Sequence, residues 1–243
     1  MKSNLLTFKE FGSQAILIEW EPEIKETILE EILSCKHIIE NFFDKKSIEL
    51  IPSYNSLTVI NYDLTISLAA FKNQLHELLA EFNLIKKHKR KLWKIPVCYD
   101  ESFGIDLHSV CKEKKIEPEQ LIKMHTEAVY TVFCIGFLPG FMYLGGLPST
   151  LEMPRRNEPR LKVKKGAVGI GGNHTGIYPQ KSPGGWNIIG NSPVELFDVN
   201  NAKPCFVEVG DKIQFKEVSL PKYQLIKIEI DAAVFSIENQ DIQ

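Results

Sequence analysis

Residues 136–190 read GFLPGFMYLGGLPSTLEMPRRNEPRLKVKKGAVGIGGNHTGIYPQKSPGGWNIIG. They hold twelve of the fifteen glycines and three of the four arginines in the 243-residue chain. Glycine is entropically costly in helices and strands, so this concentration marks tight turns or close approach of backbone. In and around the stretch, apolar runs are short and bounded by Gly, Pro, Asn and Asp. Residues 129–135, 167–170, 186–189, 194–197, 205–209, 212–215 and 225–230 read as strands, preceded by one at 93–98. Residues 107–114 and 119–126 read as short helices, the second with Pro118 at its first turn. Gly210-Asp211 reads as a hairpin turn. Many short strands with two minor helices predict a closed or nearly closed β-barrel over residues 91–243.

Upstream the period differs. Residues 15–20 form a strand-like run, and Ile24, Ile28, Ile32, Cys35, Ile39 and Phe42 recur in steps of four and three, as on a helix. Two strand-like runs, 47–51 and 56–60, flank a turn at Pro52-Ser53-Tyr54-Asn55. Leu64, Leu68, Phe71, Leu75, Leu78 and Phe82 repeat the helical spacing, with Asp63 or Thr65 as N-cap. The expected fold class is therefore α+β: a small N-terminal α/β sandwich over residues 1–90, then the barrel domain. The basic run KKHKRK at 86–91 lacks interleaved aromatics and reads as a solvated linker rather than a nucleic-acid patch.

Net charge is −2, which offers no global attraction for nucleic acid or anionic membrane. No basic-then-apolar leader opens the sequence, and the apolar stretch at 129–147 is too punctuated for a membrane helix. The five cysteines are scattered without a CxxC pair, and the six histidines show no metal-binding spacing, so reduced thiols and no protein metal site are expected.

Arg155, Arg156 and Arg160 stand in PRRNEPR (154–160), in a chain that otherwise nearly always uses lysine. A guanidinium grips carboxylate or phosphate through two bonds, so the cluster suggests anion recognition. Alternatively, some of these arginines pin their own loop through Glu152 or Glu158. GIGGNHTG (169–176) lacks the spacing of a phosphate loop, yet the amides around Gly171, Gly172 and His174 could cradle an anion. Phe141 and Tyr143 flank the Pro139-Gly140 turn and line either a pocket or a core, and Tyr178 joins them as a binding candidate. In SPGGW (182–186), Ser182 is a candidate nucleophile with no evident base, while Gly184, Gly185 and Trp186 form a flexible elbow ending in a large aromatic. His125 is either a general base or a structural histidine. The catalytic candidates are thus His125, Arg160 and Ser182.

Taken together, GFLPGFMYLGGLP (136–148), PRRNEPR, AVGIGGNHTGIYPQKSPGGWNIIGNSP (167–193), IPVCYDESFGIDLHSVCKEKK (95–115) and IPSYNSLTVINYD (51–63) resemble the 5-oxoprolinase B-subunit family. That family is also called allophanate hydrolase subunit 1 and includes the KipI kinase inhibitor. The resemblance spans roughly residues 11–215. It implies a small α+β domain followed by a cyclophilin-like β-barrel, in a bacterial cytoplasmic protein. It also implies two 5-oxoprolinase partners, a cyclophilin-like C subunit with a further A subunit. The activity implied is ATP-dependent opening of 5-oxo-L-proline to L-glutamate, with ATP and Mg2+ bound in the complex. The alternative within the family is docking on a sensor histidine kinase to block its autophosphorylation. The chain departs from the family pattern in Gly12-Ser13 for Gly-Asp, His174 for glutamine, and Val163-Lys164-Lys165-Gly166 for a Val-Pro-Ala-Gly-like turn.

Overall fold

The computed structural model describes residues 6–80 and 89–242. The chain divides into two compact units, one within Met1–Lys89 and one of Arg90–Ile242. The first unit runs β1 (Thr7–Phe11), β2 (Ala15–Glu19), α1 (Glu26–Phe42), β3 (Ile48–Ser53), β4 (Ser56–Asn61) and α2 (Leu68–Ala80). Its antiparallel sheet has the order β1-β2-β4-β3. Strand alternation sends Ile16, Ile18, Leu57 and Val59 to the face that also receives Ile28, Ile32, Cys35 and Ile39 from α1 and Phe71 and Leu75 from α2.

The helical spacing holds within α1, although Phe42 is exposed and its neighbour Phe43 packs edge-on against Phe71 instead. The start of α2 differs from expectation. Leu64 is 76% exposed, and the Asp63 carboxylate is occupied by the Thr65 amide (2.9 Å) and hydroxyl (2.6 Å) in a local turn. The helix begins after Ser67, whose hydroxyl accepts the Ala70 N–H at 3.2 Å. Phe82 and the linker residues 86–88 lie outside the described residues.

The second unit begins with β5 (Arg90–Val97), α3 (Leu107–Lys114), α4 (Pro118–Glu127), β6 (Val129–Ile135) and β7 (Met142–Gly145). It continues through β8 (Arg160–Val163), β9 (Ala167–Gly171), β10 (His174–Ile177), β11 (Ser182–Gly184) and β12 (Asn187–Asn191), and ends with β13 (Lys212–Glu217), α5 (Leu220–Asp231) and β14 (Glu238–Ile242). Eight strands form one sheet in the order β12-β9-β10-β7-β6-β13-β5-β14, and β8 pairs with β11 separately. All pairings are antiparallel except β13 with β5. The core beneath is built from Ile95, Val97, Tyr130, Val132, Leu144, Ile170 and Ile213 together with Val110 and Leu121 of α3 and α4.

The strand ladder does not close into a barrel. β14 pairs with residues 90–94 of β5 and occupies that edge, so β12 meets the strand only past its end, where Cys98 and Asn191 exchange two backbone bonds of 2.9 Å. Residues 194–197 and 205–209, expected as strands, are irregular segments that still bury Val194, Leu196 and Val207. A turn forms at Val209-Gly210, closed by the Asp211 amide on the Glu208 carbonyl at 3.1 Å, but with 205–209 irregular it is not the expected hairpin. The Asp211 carboxylate ties it to β5 by accepting the Lys91 amide (2.9 Å), the Trp93 indole N–H (2.9 Å) and the Glu208 amide (3.0 Å). Residues 225–230, also expected as a strand, lie inside α5. Ser219 caps that helix by accepting the Lys222 N–H, and Pro221 occupies its first turn. The apolar alternation there does not form a buried strand face, since Ile226 is buried while Leu225 and Ile228 are exposed.

Three of the five free thiols, Cys35, Cys98 and Cys111, are buried. Among the described residues, no helix is long and apolar enough to cross a membrane.

Candidate functional site

The glycine-rich stretch places Gly145, Gly171, Gly176 and Gly184 under aromatic rings. Phe141 packs edge-on against Tyr143 (4.9 Å between ring centres), Tyr178 (5.4 Å) and Trp186 (5.4 Å), and Tyr143 stands 5.9 Å from Trp186. Edge-to-face aromatic contacts of this length are favourable beyond simple burial. A side chain at Gly171 would place its Cβ 2.5 Å from the Trp186 ring, and one at Gly184 would meet the Tyr178 ring and hydroxyl. These two positions are glycine because rings lie flat against their backbone. Gly172, at φ +67°, makes the turn between β9 and β10, and its amide donates to the Met153 carbonyl at 2.6 Å. Gly171 is paired with His174 in the same hairpin. The expected anion cradle is thus a strand hairpin whose Gly172 amide is already bonded.

Three arginines have two different fates. Asp106, 4% exposed, immediately precedes α3 but makes no side-chain cap to it. Its carboxylate instead accepts Arg160 through two bonds (2.8 and 2.6 Å), Arg156 at 3.2 Å and the Ile188 amide at 2.7 Å. The loop is indeed pinned by ion pairs, but to an acid roughly fifty residues upstream rather than to Glu152 or Glu158. Arg155 makes no ion pair with any carboxylate among the described residues. Its guanidinium lies 6.0 Å from the centre of the Trp186 ring, within cation–π range.

Beside Arg155 stand Tyr143 and His174, their rings 6.5 Å apart. Burial, followed by the Arg155 charge, pushes the His174 pKa down, so its imidazole is neutral near pH 7. A neutral imidazole offers one donor and one acceptor. Burial raises the Tyr143 pKa, with the Arg155 charge opposing. Phe141 and Trp186 form the buried floor, while Arg155, Tyr143 and His174 reach the surface.

The carboxyltransferase-domain family, subdomain C and D, matches residues 6–207. The 5-oxoprolinase B subunit of Bacillus subtilis (strain 168) is 34% identical over 232 residues, covering 91% of this chain and 96% of that protein. The chain belongs to the 5-oxoprolinase B-subunit family. The corresponding protein of Haemophilus influenzae is 44% identical over 168 residues, 69% of this chain and 78% of that one. The crystal structure of TTHA0988 matches with a TM-score of 0.73 at 28% identity, over 85% of this chain and 40% of that longer one.

Within this B-subunit family member, two of the three catalytic candidates have no catalytic surroundings. His125 is 0% exposed. Its Nδ1 accepts the Tyr99 hydroxyl at 2.7 Å, and its Nε2–H donates to the Thr175 hydroxyl oxygen at 2.9 Å, whose own proton goes to the Gly169 carbonyl at 3.0 Å. Because Thr175 has one proton and gives it to Gly169, this order is the one that satisfies all three groups. His125 also stacks on Phe215 at 4.6 Å and is a core residue. Ser182 is buried and donates to the Pro183 carbonyl at 3.0 Å, with no imidazole at its hydroxyl among the described residues.

Arg160 also lines a small cleft of about 80 Å³ with Lys162, Lys164, Phe103, Ile105 and Ile188. Asp106 is the residue that sequence reasoning missed. The available signal was an acid at a helix start together with three arginines needing a counter-charge.

Proposed function

We propose that this chain is the B subunit of a cytoplasmic, ATP-dependent 5-oxoprolinase, which opens 5-oxo-L-proline to L-glutamate together with its C and A subunits. The observation that carries the reading is Arg155, an arginine without a carboxylate partner among the described residues, beside Tyr143 and His174 on the Trp186 floor, in a chain of this family.

The substrate is a compact ring bearing one carboxylate. Arg155 matches the carboxylate through a forked, charge-assisted bond, the Tyr143 ring provides an apolar flank, and neutral His174 offers a donor to the lactam oxygen or an acceptor to its N–H. The lactam is a resonance-stabilised amide, and the nucleotide supplies the activation that makes its carbonyl carbon electrophilic. Among the described residues, no three His, Cys, Asp or Glu side chains come together to hold a metal ion. ATP with Mg2+ is assigned to the complex as the family resemblance implies, and no step through it is placed on this chain.

Loss of one charge-assisted bond is worth about 1.5–3 kcal/mol, or roughly 10- to 100-fold. In the reconstituted complex, Arg155→Ala is expected to raise the KM for 5-oxo-L-proline by that factor and leave the KM for ATP unchanged. An unaltered KM for 5-oxo-L-proline would remove Arg155 from the substrate site.

A further inference from the structure

We propose that Asp106 is a positioning residue that fixes Arg155 over Trp186, so that the substrate carboxylate meets one guanidinium and not three. This deepens, and rests on, the reading of Arg155 as the carboxylate contact.

An aspartate just before a helix ordinarily accepts the amides of the first turn. Asp106 gives up that role and turns its carboxylate toward the arginine loop and β12. Burying a carboxylate against part-exposed arginines is a poor source of stability compared with well-packed apolar residues, so this arrangement asks for a geometric explanation.

The geometry supplies one. Asp106 exchanges two bonds with Ile188, two residues after Trp186: its amide donates to the Ile188 carbonyl at 2.8 Å, and its carboxylate accepts the Ile188 amide at 2.7 Å. The same carboxylate holds Arg156, the residue following Arg155, and Arg160. One side chain therefore ties together the strand behind Trp186 and the loop that carries Arg155.

Backbone contacts complete the frame. The Arg156 amide donates to the Gly185 carbonyl at 2.7 Å, and the Asn187 side chain donates to the Pro154 carbonyl at 2.9 Å. Arg155 lies between these two anchors. By engaging Arg156 and Arg160, Asp106 also withdraws both as competing carboxylate sites.

The test has two arms. In the reconstituted complex, Asp106→Asn is expected to raise the KM for 5-oxo-L-proline about tenfold or more, with kcat changed less than about twofold. The Asp106→Asn, Arg155→Ala double variant is expected to be no worse than Arg155→Ala alone, since residues acting through one contact are non-additive. Effects that multiply, or a fall in kcat with KM unchanged, would overturn the proposal.

The second arm needs no activity. In the full chain, the indole N–H resonance of Trp186, assigned with Trp186→Phe, is expected to shift in Asp106→Asn toward its position in Arg155→Ala. A resonance that stays at its wild-type position, while Arg155→Ala moves it, would overturn the positioning role. If Arg155→Ala leaves KM unaltered, the substrate reading fails while this arm still decides the positioning claim. Should Asp106→Asn not fold, Arg156→Gln, at a part-exposed side chain, carries the same two expectations.

Discussion

Replacing Trp186 with alanine is expected to cost about 3–5 kcal/mol of stability, the range for truncating a large buried aromatic. The ring is 4% exposed and touches Phe141, Tyr143 and the backbone of Gly171. The cost falls at the high end because Gly169, Gly171 and Gly176 beneath it have no side chains with which to fill the space. Relaxation around such a cavity would have to move strand backbone, which is held on β9 by partners on both sides. Urea unfolding should show a lower midpoint with the slope retained, and Trp186→Phe should recover much of the difference. A loss below about 1 kcal/mol for Trp186→Ala would mean that the aromatic floor is not a packed unit. The same substitution removes the surface over which Arg155 is placed.

Acidification is expected to destabilise the chain through His125. Its environment is Tyr99, Tyr130, Thr175 and Phe215, with no charged partner in contact among the described residues, and burial lowers its pKa from 6.5 to about 3. The unfolded chain therefore takes up a proton below pH 6.5 that the folded chain refuses. The contribution is fully present above pH 6.5 and is lost progressively as pH falls toward 3, at up to about 1.4 kcal/mol per pH unit. His125→Gln is expected to be less stable than the wild type at pH 7, because the Tyr99 and Thr175 hydroxyls lose well-placed partners. The gap should narrow by a few kcal/mol between about pH 7 and about pH 4, because the variant has no such group to titrate. Denaturation midpoints recorded at half-unit pH intervals check this, and a constant gap across the range would show that His125 titrates as it would in solvent.

Local pattern carried a good deal of this structure. The bounds of α3 and β6, Leu107–Lys114 and Val129–Ile135, follow directly from apolar spacing and punctuation. Where spacing misleads, a local signal overrides it: Ser219 and Pro221 mark a helix start that outweighs the alternation of Leu225, Ile226, Ile228 and Ile230. The short strands β8, β10 and β11 were not legible, because they contain little apolar periodicity and exist through their pairing with other strands. At the site, the aromatic and arginine content could be read directly, while the separation of Arg155 from Arg156 and Arg160 could not.

Composition and the spacing of neighbours along the chain account for the residue types brought to the site and for the change of period near Arg90, while the family rests on the resemblance of whole strings such as residues 136–148 and 167–193. Three further features have another origin: β14 takes the edge a closed barrel would need, Gly171 and Gly184 lie against aromatic rings, and among the described residues Arg155 alone of the three loop arginines has no carboxylate partner. Each of these turns on a contact between distant segments, such as Asp106 with Arg160 or β14 with β5. Such contacts depend on strand register and on competition among partners in space, which adjacent residues do not specify.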